Sequence, residues 1–301
     1  MPTPDDAPID DGSADNDAPS SPWGASPRGR EGAGPGGREG PSPGGREGAS
    51  PDGPEGKRDR APVAPDPAFA AEVERLIAPH LSALPGLEAA PDDLATQLGG
   101  FCAGLLAANA TINLTGLKSA EDMAFGHVLD SLIALPLIGD RGTLLDLGSG
   151  CGVPGVPFAL AQPARKVLLC ESRARKSEAL AGLVSGLELG PRVSVLHDRA
   201  ETWLVEQKVD TVVARAVGRV GKLLEFLSPV RHGFKRLVLL KGPSVDAELD
   251  EVAEQLPTLG FELEQRVDAQ LPEERGARVL LVFKPLKRDR DSRRRKYGKR
   301  R

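Results

Sequence analysis

The sequence predicts an α/β fold in which a doubly wound, mostly parallel sheet follows a cap of helices. Three observations predict it. From residue 143 onward, short apolar runs of strand length alternate with helical stretches, the pattern of parallel strands joined by crossover helices. The first of those runs ends in "GSGCGVPG" at 148–155, four glycines in eight positions, at a place where such sheets bind ligands. Between 67 and 138, by contrast, apolar residues recur at helical spacing.

Residues 1–66 hold 13 Gly and 13 Pro among few apolar side chains, too few to build a core. "PGGREGPS", "PGGREGAS" and "PDGPEGKR" follow one another from Pro35 at a period of eight, with a looser copy at Pro27. This reads as a low-complexity extension. Asp66-Pro67 then offers an N-cap and a proline for the first helical position. Phe69, Val73, Leu76, Ile77 and Leu81 mark the first helix. A second opens at Pro91-Asp92-Asp93 and carries Leu94, Leu98, Phe101, Leu105 and Leu106. Ser119 with Asp122 resembles a capping box for a third helix running to about Leu137.

The strands that follow are "TLLDL", "KVLLCE", "RVSVLH", "VDTVVA" and "RLVLLK", then a pair near "FELEQRV" and "ARVLLVF". Helices are expected near 154–161, 174–189, 217–228 and 244–257. The last two strands have no helix between them and predict an antiparallel edge. The expected divisions are the extension at 1–66, a helical cap at 67–138, a catalytic domain at 139–286 and a basic tail at 287–301.

The glycine turn admits two readings. From Gly150 it spells the dinucleotide fingerprint G-x-G-x-x-G; from Asp146 it spells D-x-G-x-G-x-G, the first loop of an S-adenosylmethionine site. The strand ends at Leu147, so a dinucleotide reading leaves Gly148-Ser149 as an insertion. Pro154 and Pro157 also remove amides that a pyrophosphate needs. S-adenosyl-L-methionine asks only for close backbone approach, which Gly148, Gly150 and Gly152 permit, and is favoured over a nicotinamide cofactor. Glu171, at the end of the second strand, suits ribose hydroxyls in either reading; a surface ion pair with Arg173 or Arg175 is its structural alternative. Asp146 either orients the ligand's ammonium or supports the turn. Ala200-Glu201, after the third strand, falls where an adenine edge would lie.

The chemistry is narrowed by what the strand ends carry. "VVARAVGR" after the fourth strand lacks the D/N-P-P-aromatic tetrapeptide of enzymes that methylate exocyclic amines. Cys102, Cys151 and Cys170 lie in apolar or cofactor-turn contexts and read as inert thiols, with neither disulfide nor metal spacing. Arg215 and Lys241-Gly242 remain. They are expected to hold phosphate or guanine O6, or else to be partners of Glu171 or Glu201.

Taken together, Asn113-Leu-Thr115, His127-x-x-Asp130-Ser131, the turn from Asp146 to Gly155, Arg215-Ala216 and Lys241-Gly242 resemble the RsmG (GidB) family. The similarity covers roughly 70–286. Cys151 and Ala214 depart from the family pattern, which has Pro or Ala, and Ser, there. The resemblance implies a Rossmann-like class I S-adenosylmethionine-dependent methyltransferase sheet and methylation of N7 of one guanine in bacterial 16S ribosomal RNA. It also implies that Gly148, Val153, Ala200, Glu201 and Arg215 contact the cofactor or close its pocket. His127, Asp130 and Ser131 share a helix face, as an acid–base pair or as a His–Asp tether to the cofactor domain.

Charge and composition set the partners. The net charge is −4, yet residues 287–301 hold ten Lys/Arg against two Asp. That tail is either a solubilising run or an arm for RNA phosphates. The first 17 residues carry six Asp and no Lys or Arg, and no apolar run is long enough to span a bilayer. A cytoplasmic monomer acting on 16S rRNA or the small ribosomal subunit is expected, without metal or membrane. A methyltransferase of small molecules or proteins and a nicotinamide oxidoreductase are the competing functions.

Overall fold

Asp66 and Pro67 open the first helix, α1 (Pro67–Leu81): the Asp66 carboxylate accepts the Ala68 N–H at 2.9 Å and Pro67 takes the first turn. The computed structural model describes residues 63–287. The octapeptide repeats and all but the first residue of the basic tail lie outside the described residues. α2 (Leu94–Asn109) follows Asp93 and buries Leu94, Leu98, Phe101 and Leu105.

The third helix is not continuous. α3 (Ala120–Met123) is capped by Ser119, whose Oγ accepts the Asp122 N–H at 3.0 Å. A π-helical stretch, Ala124–Leu129, intervenes before α4 (Asp130–Leu132), and the chain restarts as α5 (Leu135–Ile138). Pro136 explains the second break, because it has no N–H and its ring clashes with the carbonyl four residues earlier. The π stretch leaves no trace in apolar periodicity.

Strands β1 (Thr143–Leu147), β2 (Lys166–Cys170), β3 (Val193–Leu196), β4 (Thr211–Arg215) and β5 (Arg236–Lys241) are parallel. β6 (Phe261–Gln270) and β7 (Ala277–Pro285) complete the order β3-β2-β1-β4-β5-β7-β6, with β7 antiparallel to both neighbours. This is the doubly wound, mostly parallel sheet that the sequence predicts, in the Rossmann-like arrangement that the resemblance implies, with a helical segment before it. β1 pairs with β2 on one side and β4 on the other. That reversal of direction is the switch point where a ligand crevice forms.

The strands read as unbroken apolar runs because both faces are covered. Leu144, Val167, Leu169, Val213 and Val238 join one core with α1, α2, the π stretch, α6 (Gly155–Ala161) and α7 (Ala174–Gly186). Leu145, Leu168, Val212, Leu237 and Leu239 face a second core under α8 (Ala200–Glu206) and α9 (Val220–Leu227). Each fully buried leucine contributes about 1.5–3 kcal/mol. The helical cap therefore has no core of its own; it completes one face of the sheet.

Two helical expectations need correction. α8 was not expected: it buries only Ala200 and Leu204, whereas the equally short α6 is buried throughout. The stretch at 244–257 is four short pieces, including α10 (Asp246–Val252) and α11 (Leu256–Leu259), interrupted near Pro257 and closed by left-handed Gly260 at φ 81°. The edge strand β6 exposes Glu262, Glu264, Arg266 and Asp268, charges that discourage edge-to-edge pairing.

Candidate active site

The turn after β1 is bolted to β2: the N–H groups of Gly148 and Ser149 donate to the Cys170 carbonyl at 2.9 and 3.0 Å. Gly148 has φ 73°, and a Cβ there would come within 2.9 Å of Val217 Cγ2. Gly155 leaves room of another kind. A Cβ on it would meet Leu169 at 2.3 Å and Asp146 Oδ2 at 2.7 Å, and its N–H donates to that same Oδ2 at 3.0 Å. Asp146 is thus the turn's internal support, as one of its two expected roles requires. Its other oxygen, Oδ1, is buried and has no partner. Burial pushes this carboxyl up to about 7, against the pull of the Gly155 amide, the Ser149 hydroxyl and Arg215 nearby. Val153 is buried in the core beneath the turn.

Glu171 lies just past β2 and is buried rather than on the surface. Its oxygens accept the N–H groups of Gly150 at 3.1 Å and Arg173 at 2.8 Å. The expected alternative, an ion pair with the side chain of Arg173 or Arg175, is not formed. Beside it, a cavity of about 390 Å³ is lined by Leu147, Gly148, Ser172, Ala200, Glu201 and Val217, among others. Glu201 meets Arg199 at 3.5 Å through Oε1, and its Oε2 is buried without a partner.

Arg215 ends β4 and reaches back to the helical cap. Its Nε lies 3.1 Å from Asp130 Oδ2, its Nη2 donates to the Gly126 carbonyl at 2.6 Å, and its Nη1 is buried without a partner. The next residue, Ala216, is left-handed at φ 57°, a conformation that costs a residue with a side chain about 1–2 kcal/mol. Lys241, at the end of β5, pairs with Glu248 at 2.8 Å and donates to the Gly218 carbonyl at 2.9 Å. The partners of both cations are therefore Asp130 and Glu248, not Glu171 or Glu201. Two of the three ammonium donors of Lys241, expected to hold substrate, are taken by Glu248 and the Gly218 carbonyl.

His127 and Asp130 do not bond to each other, which corrects both readings of that helix face. His127 Nε2 lies 2.8 Å from Thr115 Oγ1, while Thr115 Oγ1 accepts the Leu117 N–H at 3.1 Å. Ser131 Oγ donates to the His127 carbonyl at 2.5 Å. The π stretch between Ala124 and Leu129 sends the imidazole to the 110–119 loop while Asp130 turns to Arg215. Asn109 holds that loop: its Oδ1 accepts the N–H groups of Leu114 and Thr115 at 2.7 and 3.0 Å. The sequence gives no sign of this clamp.

Burial, and then the nearby Arg215 charge, lower the His127 pKa to about 4, so the imidazole is neutral at physiological pH. The unfolded chain takes up this proton near pH 6.5 and the folded one only near 4. This contribution to stability is therefore present above 6.5 and lost as pH falls toward 4. His127→Ala is expected to cost about 2–3 kcal/mol at pH 7.5, with the gap from the parent narrowing between pH 6.5 and 4. Chemical denaturation across that range checks it; a gap independent of pH contradicts it.

Cys102 and Cys170 are buried, and Cys151 sits in the turn. Burial raises all three thiols, that of Cys170 to about 12, which disfavours a thiolate nucleophile. Among the described residues no group of three His, Cys, Asp or Glu is placed to hold a metal ion, and no helix is long and apolar enough to cross a membrane.

Arg278 is the functional candidate that sequence reasoning missed. It is the second residue of β7, and its Nε donates to Asp130 Oδ1. The two residues lie 148 positions apart, beyond any local pattern.

Residues 94–275 match the GidB family, described as rRNA small subunit methyltransferase G. The ribosomal RNA small subunit methyltransferase G of Nitrosomonas europaea is 36% identical over 216 residues, 70% of this chain and 97% of that protein. Its counterpart from Solibacter usitatus is 30% identical over 216 residues, 72% and 99% of the two chains. That of Sorangium cellulosum is 37% identical over 198 residues, 64% and 78%.

Proposed function

Since the chain belongs to the rRNA small subunit methyltransferase G family, we propose that it methylates N7 of one guanine in 16S rRNA, using S-adenosyl-L-methionine. One observation carries the cofactor assignment: three buried side-chain atoms around the glycine turn have no hydrogen-bond partner among the described residues. They are Asp146 Oδ1, Glu201 Oε2 and Arg215 Nη1. Buried polar atoms are costly to leave unpaired, and these three are two acceptors and one donor. They match the ammonium, the adenine amine and the carboxylate of the cofactor.

Gly148 and Gly150 let the turn's backbone approach the ligand, and Gly152 sets the turn's path where a Cβ would meet Leu180 and Val156 at 2.9 Å. Val153 packs beneath that turn. Glu171 accepts from the ribose hydroxyls while it holds the Gly150 amide. Ala200 and Glu201 border the adenine edge. Arg215 offers Nη1 to the cofactor's carboxylate; with Gly126 and Asp130 occupying its other donors, it is too enclosed to serve a phosphate backbone. Lys241 orders the adjoining turn from its ion pair with Glu248.

When bound, the cofactor supplies an electrophilic methyl group on a sulfonium. Guanine N7 has an in-plane lone pair and no proton, so the chain needs no general base. Its task is to hold two reactants in line and to tolerate positive charge moving to the purine ring. The neutral His127 and the raised cysteine thiols fit that economy of groups. The protein acts in this reading as a cytoplasmic monomer on 16S rRNA or the small ribosomal subunit.

Labelled methyl incorporation tests the substrate class: small subunits or their rRNA are expected to take up label, and free protein or metabolite extract none. Labelled metabolite with unlabelled RNA contradicts the reading. In the same assay, removing 287–301 should weaken RNA binding and flatten its salt dependence while leaving cofactor affinity intact, because ten cations can displace counterions from phosphates. Identical salt slopes restore a purely solubilising tail.

A further inference from the structure

Asp130 is 3% exposed and shared by two arginines. Arg215, from the end of β4, takes Oδ2, and Arg278, from the start of β7, takes Oδ1. A single helical residue is thus held from two strands that are not neighbours in the sheet. Arg278 does not line the cavity described above, so it has no direct use for a ligand there. The turn that delivers it is unusual. Glu273 and Glu274 are both left-handed, at φ 55° and 54°, a conformation rare for residues other than glycine. The same turn places Arg275 on Glu121 and 4.6 Å above the Phe125 ring. Two consecutive left-handed glutamates are retained in a turn whose arginines both grip the helical cap.

We infer that Arg278 is a positioning residue for methyl transfer, acting through Asp130 to aim the Arg215 guanidinium at the cofactor. A carboxylate gripped on one oxygen can rotate about its Cβ–Cγ bond; gripped on both, it presents Oδ2 to Arg215 in one orientation. Arg215 then has Nε and Nη2 fixed, and Nη1 is the donor left for the ligand. The three charges sum to one positive, partly buried at the site, which favours an anionic group on that donor. This inference rests on the reading of Arg215 as a cofactor ligand.

A double-mutant cycle on the full chain separates the two, with the cofactor dissociation constant measured by calorimetry. Arg215→Lys and Arg278→Ala are each expected to weaken binding about tenfold. Their combination should be no weaker than Arg215→Lys alone, because Arg278 acts only through the planar fork that lysine lacks. A combined loss of about a hundredfold, with the effects multiplying, overturns the inference, as does wild-type affinity in Arg278→Ala. Unchanged affinity in Arg215→Lys removes the reading beneath it as well. Where Arg278→Ala does not fold, Arg278→Lys enters the cycle; it keeps the charge but not the fork, and the same non-additivity is expected. General destabilisation by either Arg278 variant would persist in the Arg215→Lys background, so it cannot mimic the expected result.

Discussion

Arg215→Ala is expected to slow single-turnover methyl transfer by at least about a hundredfold, the scale on which misplaced reactants lose rate. The side chain supplies the one buried, unpartnered donor at the carboxyl end of β4, and it is the bond between that strand and the Gly126 carbonyl. Its loss removes an anchor for the cofactor's carboxylate and leaves Asp130 with Arg278 alone. Breaking a buried ion pair also costs stability, so the rate is to be read on protein shown to be folded by its melting transition. His127→Ala is the matched control. It removes a buried neutral imidazole from the Thr115 contact and should change the rate little. Wild-type turnover in folded Arg215→Ala contradicts the assignment.

Glu171→Ala should weaken cofactor binding by about 1.5–3 kcal/mol, the range for hydrogen bonds to a charged group, or roughly ten- to 150-fold in dissociation constant. Two losses combine. The ribose hydroxyls lose their acceptor, and the amides of Gly150 and Arg173 lose the carboxylate that now receives them. Glu171→Gln keeps an oxygen for one amide and should recover part of the affinity. Calorimetry with unchanged affinity in folded Glu171→Ala contradicts the ribose role.

The strands and the glycine turn were legible because their signals are local. An apolar run, a glycine at positive φ and an acid closing the second strand all act within a few residues. Glu171 could be singled out from position alone, although its grip on the Gly150 amide could not. The helix face of His127 and Asp130 misled for two physical reasons. A π stretch alters the 3.6-residue spacing that puts i and i+3 side by side, and the partners that compete for Asp130 arrive from β4 and β7. Arg215 reaches Gly126 across 89 residues and Arg278 reaches Asp130 across 148. Lys241 shows the same limit: its contacts with Glu248 and the Gly218 carbonyl come from residues that no local pattern links to a strand end. α8 was hidden because only Ala200 and Leu204 of it are buried, too few to set a period.

The central claim is methylation of guanine N7 without proton transfer. It is tested most directly by single-turnover methylation of 16S rRNA at saturating cofactor from about pH 6 to 9, with the product mapped by borohydride–aniline cleavage. That chemistry cuts the chain at 7-methylguanosine. At saturation the rate reports groups in the bound complex, so the ionisation of Asp146 in the free protein, pushed up to about 7 by burial, does not enter it. Cleavage at one guanine and a rate nearly flat with pH are expected, because N7 has no proton to lose and His127 is already neutral across the range. A bell or slope tracking a titrating side chain would restore acid–base catalysis, and methyl label in the RNA without cleavage would place the methyl group on another atom.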